Sequence, residues 1–434
     1  MRTPSAYLTN AATTGLLNIV GSAVVTIVAL PVIVARLGMD GYGLWAMLGI
    51  FVSSAVMLDV GAGRAVVYLF SKRAAPANEL LTAASVVAMG ACVAAYFVAL
   101  LIAEMSNGRL WVLSGVPGDV EWVLVIAGTV ILASTLLTSV VRSLLEAYLH
   151  SHLVNIGYFV VTALNFGVAM ALACAGQSIQ IVLLGSAAAY LFILALHLGA
   201  LYGICGVWFG RFSSPLAQLV LRKGSSMYVV GLPTAALIPL LFFLLTRSVS
   251  DTRQYGQFDL AYRVATMSGS ALAFVAVPVY ALVARMPEQR EREVRRLVGQ
   301  YLAVTVVALI LGVLLFTLIG KNILVYLSRS ADVASLWWAS VALLVGVGSL
   351  SAIEPILRAY LGRGHFAKVF LVRFVVAAVT LVALYFLREW PTVKRFALAY
   401  AGGCLFGAIT GSALFGLRGG KQNPLLRHLF NWIR

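Results

Sequence analysis

Long apolar blocks, broken by short clusters of charge, glycine and proline, run the whole length of this chain. They lie near 8–36, 41–70, 78–104, 120–149, 153–175, 178–205, 219–247, 254–284, 294–320, 333–361, 366–388 and 393–416. Each reaches the roughly 20 residues that an α-helix needs to cross the hydrocarbon core of a bilayer. None alternates with the period of two that a half-buried strand would show. The pattern therefore predicts an all-α membrane protein with twelve transmembrane helices, an even number that puts both termini on one side.

The pattern also repeats. The second block opens with Gly41-Tyr42-Gly43 and the eighth with Gln254-Tyr255-Gly256, 213 positions later. The fourth ends with Leu145-Glu146-Ala147-Tyr148-Leu149 and the tenth with Leu357-Arg358-Ala359-Tyr360-Leu361, 212 positions later. An offset of six helices keeps both copies in the same orientation. This predicts two parallel-repeat six-helix lobes around a central cavity, 1–210 and 211–417. Residues 418–434 then form a basic amphipathic tail. Leu425, Leu426, Leu429, Phe430 and Ile433 lie on one face, and Arg427, His428, Asn431 and Arg434 on the other.

Composition narrows the class. Of 434 residues, 62% are hydrophobic and 11% charged, against roughly 25% charged in a soluble domain. So few charges cannot cover a water-exposed surface, which excludes large aqueous domains, and so much apolar content excludes disorder. The net charge of +16 has a topological explanation. With twelve helices, eighteen Lys and Arg residues fall on the side of the termini and nine on the other. That places both termini in the cytoplasm and leaves no call for nucleic acid as a partner. Cys92, Cys174, Cys205 and Cys404 are widely spaced and read as packing residues, not a metal site or disulfides. The first apolar stretch is too long for a cleavable signal.

Polar side chains inside apolar helices need a partner or a watery cavity, so they are the candidate functional residues. Asn10, Thr14, Asn18, Ser22 and Thr26 recur every fourth residue of the first helix. They are either a wall of the cavity or interhelical hydrogen-bonding groups. Asp59, in Leu58-Asp59-Val60-Gly61-Ala62-Gly63-Arg64, is a candidate for binding a coupling cation or for pairing with Arg64. Asp259 and Glu354 are further candidates for ion coupling. Arg142 and Glu146 are one turn apart, as are Glu354 and Arg358 at the repeat-related place with the signs exchanged. Each pair can close on its own helix, or the two can cross-pair as a cytoplasmic gate. Arg263 and Arg373 lie deep in their helices. Asp259 can offset Arg263, as can an anionic substrate, because the planar guanidinium grips two oxygens at once. Enzymatic chemistry has little support. There is no glycine-rich phosphate loop, His150 and His152 stand without a completing ligand, and acids near the longest outer loop are limited to Glu104, Asp119 and Glu121.

Three stretches carry a resemblance. Arg36-Leu-Gly-Met-Asp-Gly-Tyr-Gly-Leu-Trp45, continued by Leu58-Asp-Val-Gly-Ala-Gly-Arg64, resembles the second-helix signature of the polysaccharide transporter family. These are the Wzx-type oligosaccharide flippases of the multidrug/oligosaccharidyl-lipid/polysaccharide (MOP) exporter superfamily. Gln254-Tyr-Gly-Gln-Phe-Asp-Leu-Ala-Tyr-Arg263 and Leu357-Arg-Ala-Tyr-Leu-Gly-Arg-Gly364 resemble its eighth-helix start and tenth-helix end. The resemblance implies a multi-pass protein of the bacterial inner membrane. It would move undecaprenyl-pyrophosphate-linked oligosaccharides to the periplasmic leaflet by alternating access, for O-antigen, capsule or exopolysaccharide. On that reading Arg263 and Arg373 meet the pyrophosphate, and Asn10, Thr14, Asn18 and Ser22 line the sugar cavity. No cofactor is expected beyond a coupling proton or sodium ion. The expected partners are the lipid-linked oligosaccharide, membrane lipids, a polysaccharide polymerase and a chain-length regulator. A cation-coupled multidrug exporter of the same superfamily is the alternative. It would depend on the buried acids and not on the arginines.

Overall fold

The computed structural model describes residues 4–59, 61–105, 118–248, 251–275, 279, 283, 290–328, 333–363 and 365–416. The predicted amphipathic tail, 418–434, lies outside them. The described secondary structure is helical throughout. In order, the helices are α1 (Pro4–Ala46), α2 (Leu48–Leu58), α3 (Ala62–Ser71), α4 (Ala77–Met105), α5 (Gly118–Ala147), α6 (Ser151–Cys174), α7 (Ile179–Cys205), α8 (Ser214–Tyr228), α9 (Leu232–Ser248), α10 (Thr252–Val275), α11 (Glu291–Ser328), α12 (Val333–Ala352), α13 (Glu354–Gly362), α14 (Phe366–Phe386) and α15 (Thr392–Gly416). Among the described residues, nine helices are long and apolar enough to cross a membrane, and α9 is a shorter apolar helix. The protein is a multi-pass membrane protein of all-helical fold.

Every predicted block has a helical counterpart, but several are broken. Helix α1 runs from the first block into the second through Gly38, whose φ of 72° and ψ of 172° are non-helical. The second block then divides into α2 and α3. There Gly61 takes φ 74°, a left-handed conformation costly for any residue with a Cβ. The seventh block divides into α8 and α9, and the tenth into α12 and α13, where Pro355 suits the first turn of a new helix.

The chain forms two compact units. The first comprises residues 1–228 and 238–256, the second 229–237 and 257–434. The repeat offset draws the lobe boundary at 210/211, whereas contacts assign 211–228 to the first unit because α8 packs on α3 and α4. In that unit α1 lies along α6, and α5 packs against α7, α2 and α3. Its core gathers Ala62, Ala65, Val66 and Leu69 of α3 with Leu80 and Leu81 of α4, Leu144 of α5 and Val220 of α8.

In the second unit α15 packs closely on α12 and α14. Gly403, Gly407 and Gly411 form a stripe at four-residue spacing on α15. A Cβ at Gly403 would meet Thr380 and the Val376 carbonyl, one at Gly407 the Val376 side chain, and one at Gly411 Ile353. Small residues let backbones approach where lipid supplies no hydrophobic drive between helices.

Candidate functional site

The second-helix signature is mostly packing. Tyr42 is fully buried, and Trp45 donates its indole N–H to Ser186 Oγ at 2.9 Å. The repeat-related Tyr255 is fully buried too. Only Asp59, at the break, has chemistry to spare. Ser139 Oγ of α5 donates to its Oδ2 at 3.3 Å and the Gly63 backbone N–H is directed at the carboxylate, while no side chain reaches its buried Oδ1. Arg64 and Tyr228 lie close enough to act on it electrostatically. The break is locked from outside, because a Cβ on Gly61 would run into the Gly224 carbonyl of α8. A carboxylate at a helix break, where backbone carbonyls are also released, is the arrangement transporters use to hold small cations.

The polar stripe of α1 is partly self-satisfied. Ser22 Oγ donates to Asn18 Oδ1 at 3.2 Å, Thr26 Oγ1 donates to the Ser22 carbonyl at 2.8 Å, and Asn155 of α6 donates to Thr14 Oγ1 at 3.1 Å. Interhelical hydrogen bonding thus accounts for Thr14, and Thr26 is buried. The side chain of Asn10 lies outside the described residues.

Arg142 makes no contact ion pair with Glu146, which acts on it only at longer range. Instead its Nε donates to His197 Nε2 of α7 at 3.1 Å, and its guanidinium lies 4.0 Å over the ring of Tyr158 of α6. His197 Nδ1 is 2.8 Å from the Ile193 carbonyl, which fixes the tautomer of the ring. The carbonyl can only accept, so Nδ1 carries the proton and Nε2 is free to accept from Arg142. Gly157 makes room, since a Cβ there would strike the imidazole. Glu146 is exposed. The sequence offered one signal for this cluster, a lone histidine in an apolar helix, and periodicity alone gave it no partner.

In the second unit Arg263 Nε pairs with Asp259 Oδ2 at 2.6 Å, with Asp259 the more buried of the two. Tyr262 faces Tyr400 of α15 with ring centroids 5.9 Å apart. Of the two partners the sequence offered for Arg263, the structure supplies the carboxylate. Arg358 Nε pairs with Glu354 Oε1 at 2.7 Å along α13, so this pair closes on its own helix. Arg373 is half-buried in α14. On the first turns of α11, Arg295 pairs with Glu291 at 3.3 Å on the exposed surface, as their i,i+4 spacing predicts. Asp119, near the outer loop, accepts from Gln180 at 2.8 Å on the surface. No group of three or more His, Cys, Asp or Glu residues suited to a metal occurs among the described residues.

No known family signature matches the chain, and no curated protein sequence is similar to it. Solved structures are. An inward-facing MATE-family multidrug resistance transporter of the MOP superfamily is similar at a TM-score of 0.68 and 12% identity, over 96% of this chain and 99% of that one. The lipid II flippase MurJ, in an inward closed conformation, is similar at 0.69 and 13%, over 99% and 96%. A MOP superfamily transporter from Pyrococcus furiosus, described as having a binding pocket of reverse polarity, is similar at 0.61 and 12%, over 96% of each. At such identities the likeness concerns the fold. This chain has the fold of MOP superfamily transporters.

Proposed function

We propose that the protein is a flippase of the bacterial inner membrane. It carries undecaprenyl-pyrophosphate-linked oligosaccharides from the cytoplasmic to the periplasmic leaflet, for surface polysaccharide synthesis. Both termini are cytoplasmic, and twelve helices in two lobes, 1–210 and 211–417, rock in alternating access. The observation that carries this reading is the sign of the charge kept inside the helices. Arg142, Arg263 and Arg373 lie within α5, α10 and α14 and Arg64 near the start of α3, against Asp59, Glu146 and Asp259, while Glu354 and Arg358 cancel each other. A guanidinium at the bilayer centre costs at least about 2.5 kcal/mol on insertion scales, which weighs on Arg263 and Arg373, deep in their helices, more than on Arg142 near the end of α5. An excess of them is worth keeping for an anionic cargo and is a handicap for a cationic one. The Wzx-like motifs at residues 36–64, 254–263 and 357–364 support the same cargo class. A polymerase and a chain-length regulator are then its partners.

Coupling to a proton or sodium ion is best assigned to Asp59. Asp259 and Glu354 are already ion-paired, whereas Asp59 keeps a buried oxygen that no side chain reaches. That same oxygen favours the second reading, a cation-coupled drug exporter. Complementation separates the two. A strain lacking its own flippase, with a glycan matched to this protein, receives the wild type, Arg263→Gln combined with Asp259→Asn, Arg373→Ala or Asp59→Asn at equal protein level. Glycan restored by the wild type and lost with the arginines supports flipping. Glycan indifferent to both arginines, with drug resistance lost in Asp59→Asn, gives the exporter.

A further inference from the structure

Arg142 is a half-buried cation with no ion pair at contact distance, Glu146 one turn on acting on it only at longer range. His197, 6% exposed, donates Nδ1–H to the Ile193 carbonyl and, because it accepts Nε–H of Arg142 at Nε2, brings no charge of its own to the contact. Tyr158 covers one face of the guanidinium. The Nη2 atom is buried and has no hydrogen-bond partner, and Arg142 belongs to none of the ion pairs among the described residues. A guanidinium cannot lose its proton to escape this. Burying a charge without its partner costs several kcal/mol, and a fork tied down at Nε and stacked on a ring is oriented to offer its remaining N–H groups to two oxygens.

The depth of the cluster suits one kind of oxyanion. Arg142 is five residues from the end of α5, Tyr158 seven from the start of α6, and His197 eight from the end of α7. These are distances of about 7–12 Å along the helices. Helix α5 has 30 residues and is about 45 Å long, against about 30 Å of hydrocarbon. Arg142 therefore lies at the level where lipid headgroups meet the acyl chains. Tyr158, 46% exposed, forms the flank of the cluster open to the outside. Basic pockets between helices at this level take anionic headgroups.

We propose that Arg142, oriented by His197 and flanked by Tyr158, is a binding site for the phosphate of a lipid headgroup, at the end of the first unit where α5 and α7 finish and α6 begins. The site rests on the protein being membrane-embedded and not on its being a flippase. Phosphate there can come from a bilayer phospholipid or from a lipid-linked pyrophosphate, and the test has an arm for each.

Full-length protein in detergent is titrated separately with phosphatidylglycerol, undecaprenyl pyrophosphate and diacylglycerol, and bound lipid is counted by native mass spectrometry. Wild type holds a phosphate-bearing lipid that diacylglycerol does not replace. Arg142→Gln weakens it about tenfold or more, the size of one charge-assisted contact. Arg142→Lys, a point charge without the fork, falls between. Arg222→Gln removes an exposed charge of α8 and leaves binding unchanged. Equal binding of both phosphate lipids by wild type, Arg142→Gln and Arg142→Lys overturns the site. If Arg142→Gln yields no monodisperse protein, Arg142→Lys and Tyr158→Leu decide, and wild-type binding by both overturns it. Displacement of phosphatidylglycerol by undecaprenyl pyrophosphate assigns the site to the cargo headgroup, and its persistence assigns it to a bilayer lipid. Failure of the glycan complementation leaves all these outcomes unaffected.

Discussion

Gly43 and Gly256 occupy reciprocal places in one contact. A Cβ on Gly43 would run into the carbonyl of Thr252, and a Cβ on Gly256 would come within 3.1 Å of the carbonyl of Met39. Met39 and Thr252 are themselves related by the 213-residue offset that relates the two glycines. The sequence repeat thus reappears as a contact with local two-fold symmetry, in which each copy's glycine receives the other copy's backbone.

Substitution there should be unequal. Gly43→Ala meets the Thr252 backbone, which cannot turn aside. Gly256→Ala also meets the Tyr42 ring and Met39 Sδ, at 3.0 and 3.2 Å, which can move. Overpacking typically costs about 1–3 kcal/mol. Gly43→Ala is expected at or above the top of that range and Gly256→Ala near the bottom. Thermal melts of the detergent-solubilised variants, followed by size-exclusion chromatography, should show the larger fall in Tm for Gly43→Ala.

Asp259 and Arg263 test whether a buried pair is structural. Removing one partner of such a pair typically costs about 3–5 kcal/mol, because it strands the other charge. Arg263→Ala should therefore lower folded yield sharply. Asp259→Asn with Arg263→Gln should restore much of it, since the charges leave together. Recovery of yield without recovery of glycan in the double variant would identify Arg263 as a substrate contact as well.

The Glu354–Arg358 pair should behave otherwise. Its arginine is 36% exposed, and pairs open to solvent contribute only about 0–1 kcal/mol. Glu354→Gln should melt close to the wild type. A large transport defect in that stable variant would point to gating; wild-type transport would exclude the pair from the gate.

Asp59→Asn keeps the shape of the side chain and an acceptor for Ser139 while removing the charge. Normal expression is expected, together with loss of the sodium or pH dependence of transport in proteoliposomes. If the ion dependence is the same in Asp59→Asn, the coupling site lies elsewhere. Gly61→Ala should cost stability instead, at least the roughly 1–2 kcal/mol of a left-handed residue bearing a Cβ, because it opposes the Gly224 carbonyl as well.

Much of the fold could be read from single positions. Hydropathy located each helix because lipid tolerates only apolar surface, and the Tyr42-Gly43 and Tyr255-Gly256 corners announced the repeat because backbones cannot approach so closely past a side chain. Gly61 and Gly63 marked the break beside Asp59. The site was harder. Periodicity puts Arg142 and Glu146 on one face of α5 with the same force as it puts Glu354 and Arg358 on one face of α13, yet only the second pair closes to contact distance.

The difference lies in what the neighbouring helices bring. On the sequence alone, this protein is fixed as a helical, lipid-embedded, internally repeated chain with a surplus of arginine inside it, because those properties follow from transfer energies and from spacing along one helix. Which of those arginines is answered by a carboxylate and which by a neutral histidine depends on the rotation of one helix against the next. That was decided only when α6 and α7 packed on α5. Gly157 admits the His197 ring, the Ile193 carbonyl fixes its proton, and the guanidinium of Arg142 is left with donors to spare.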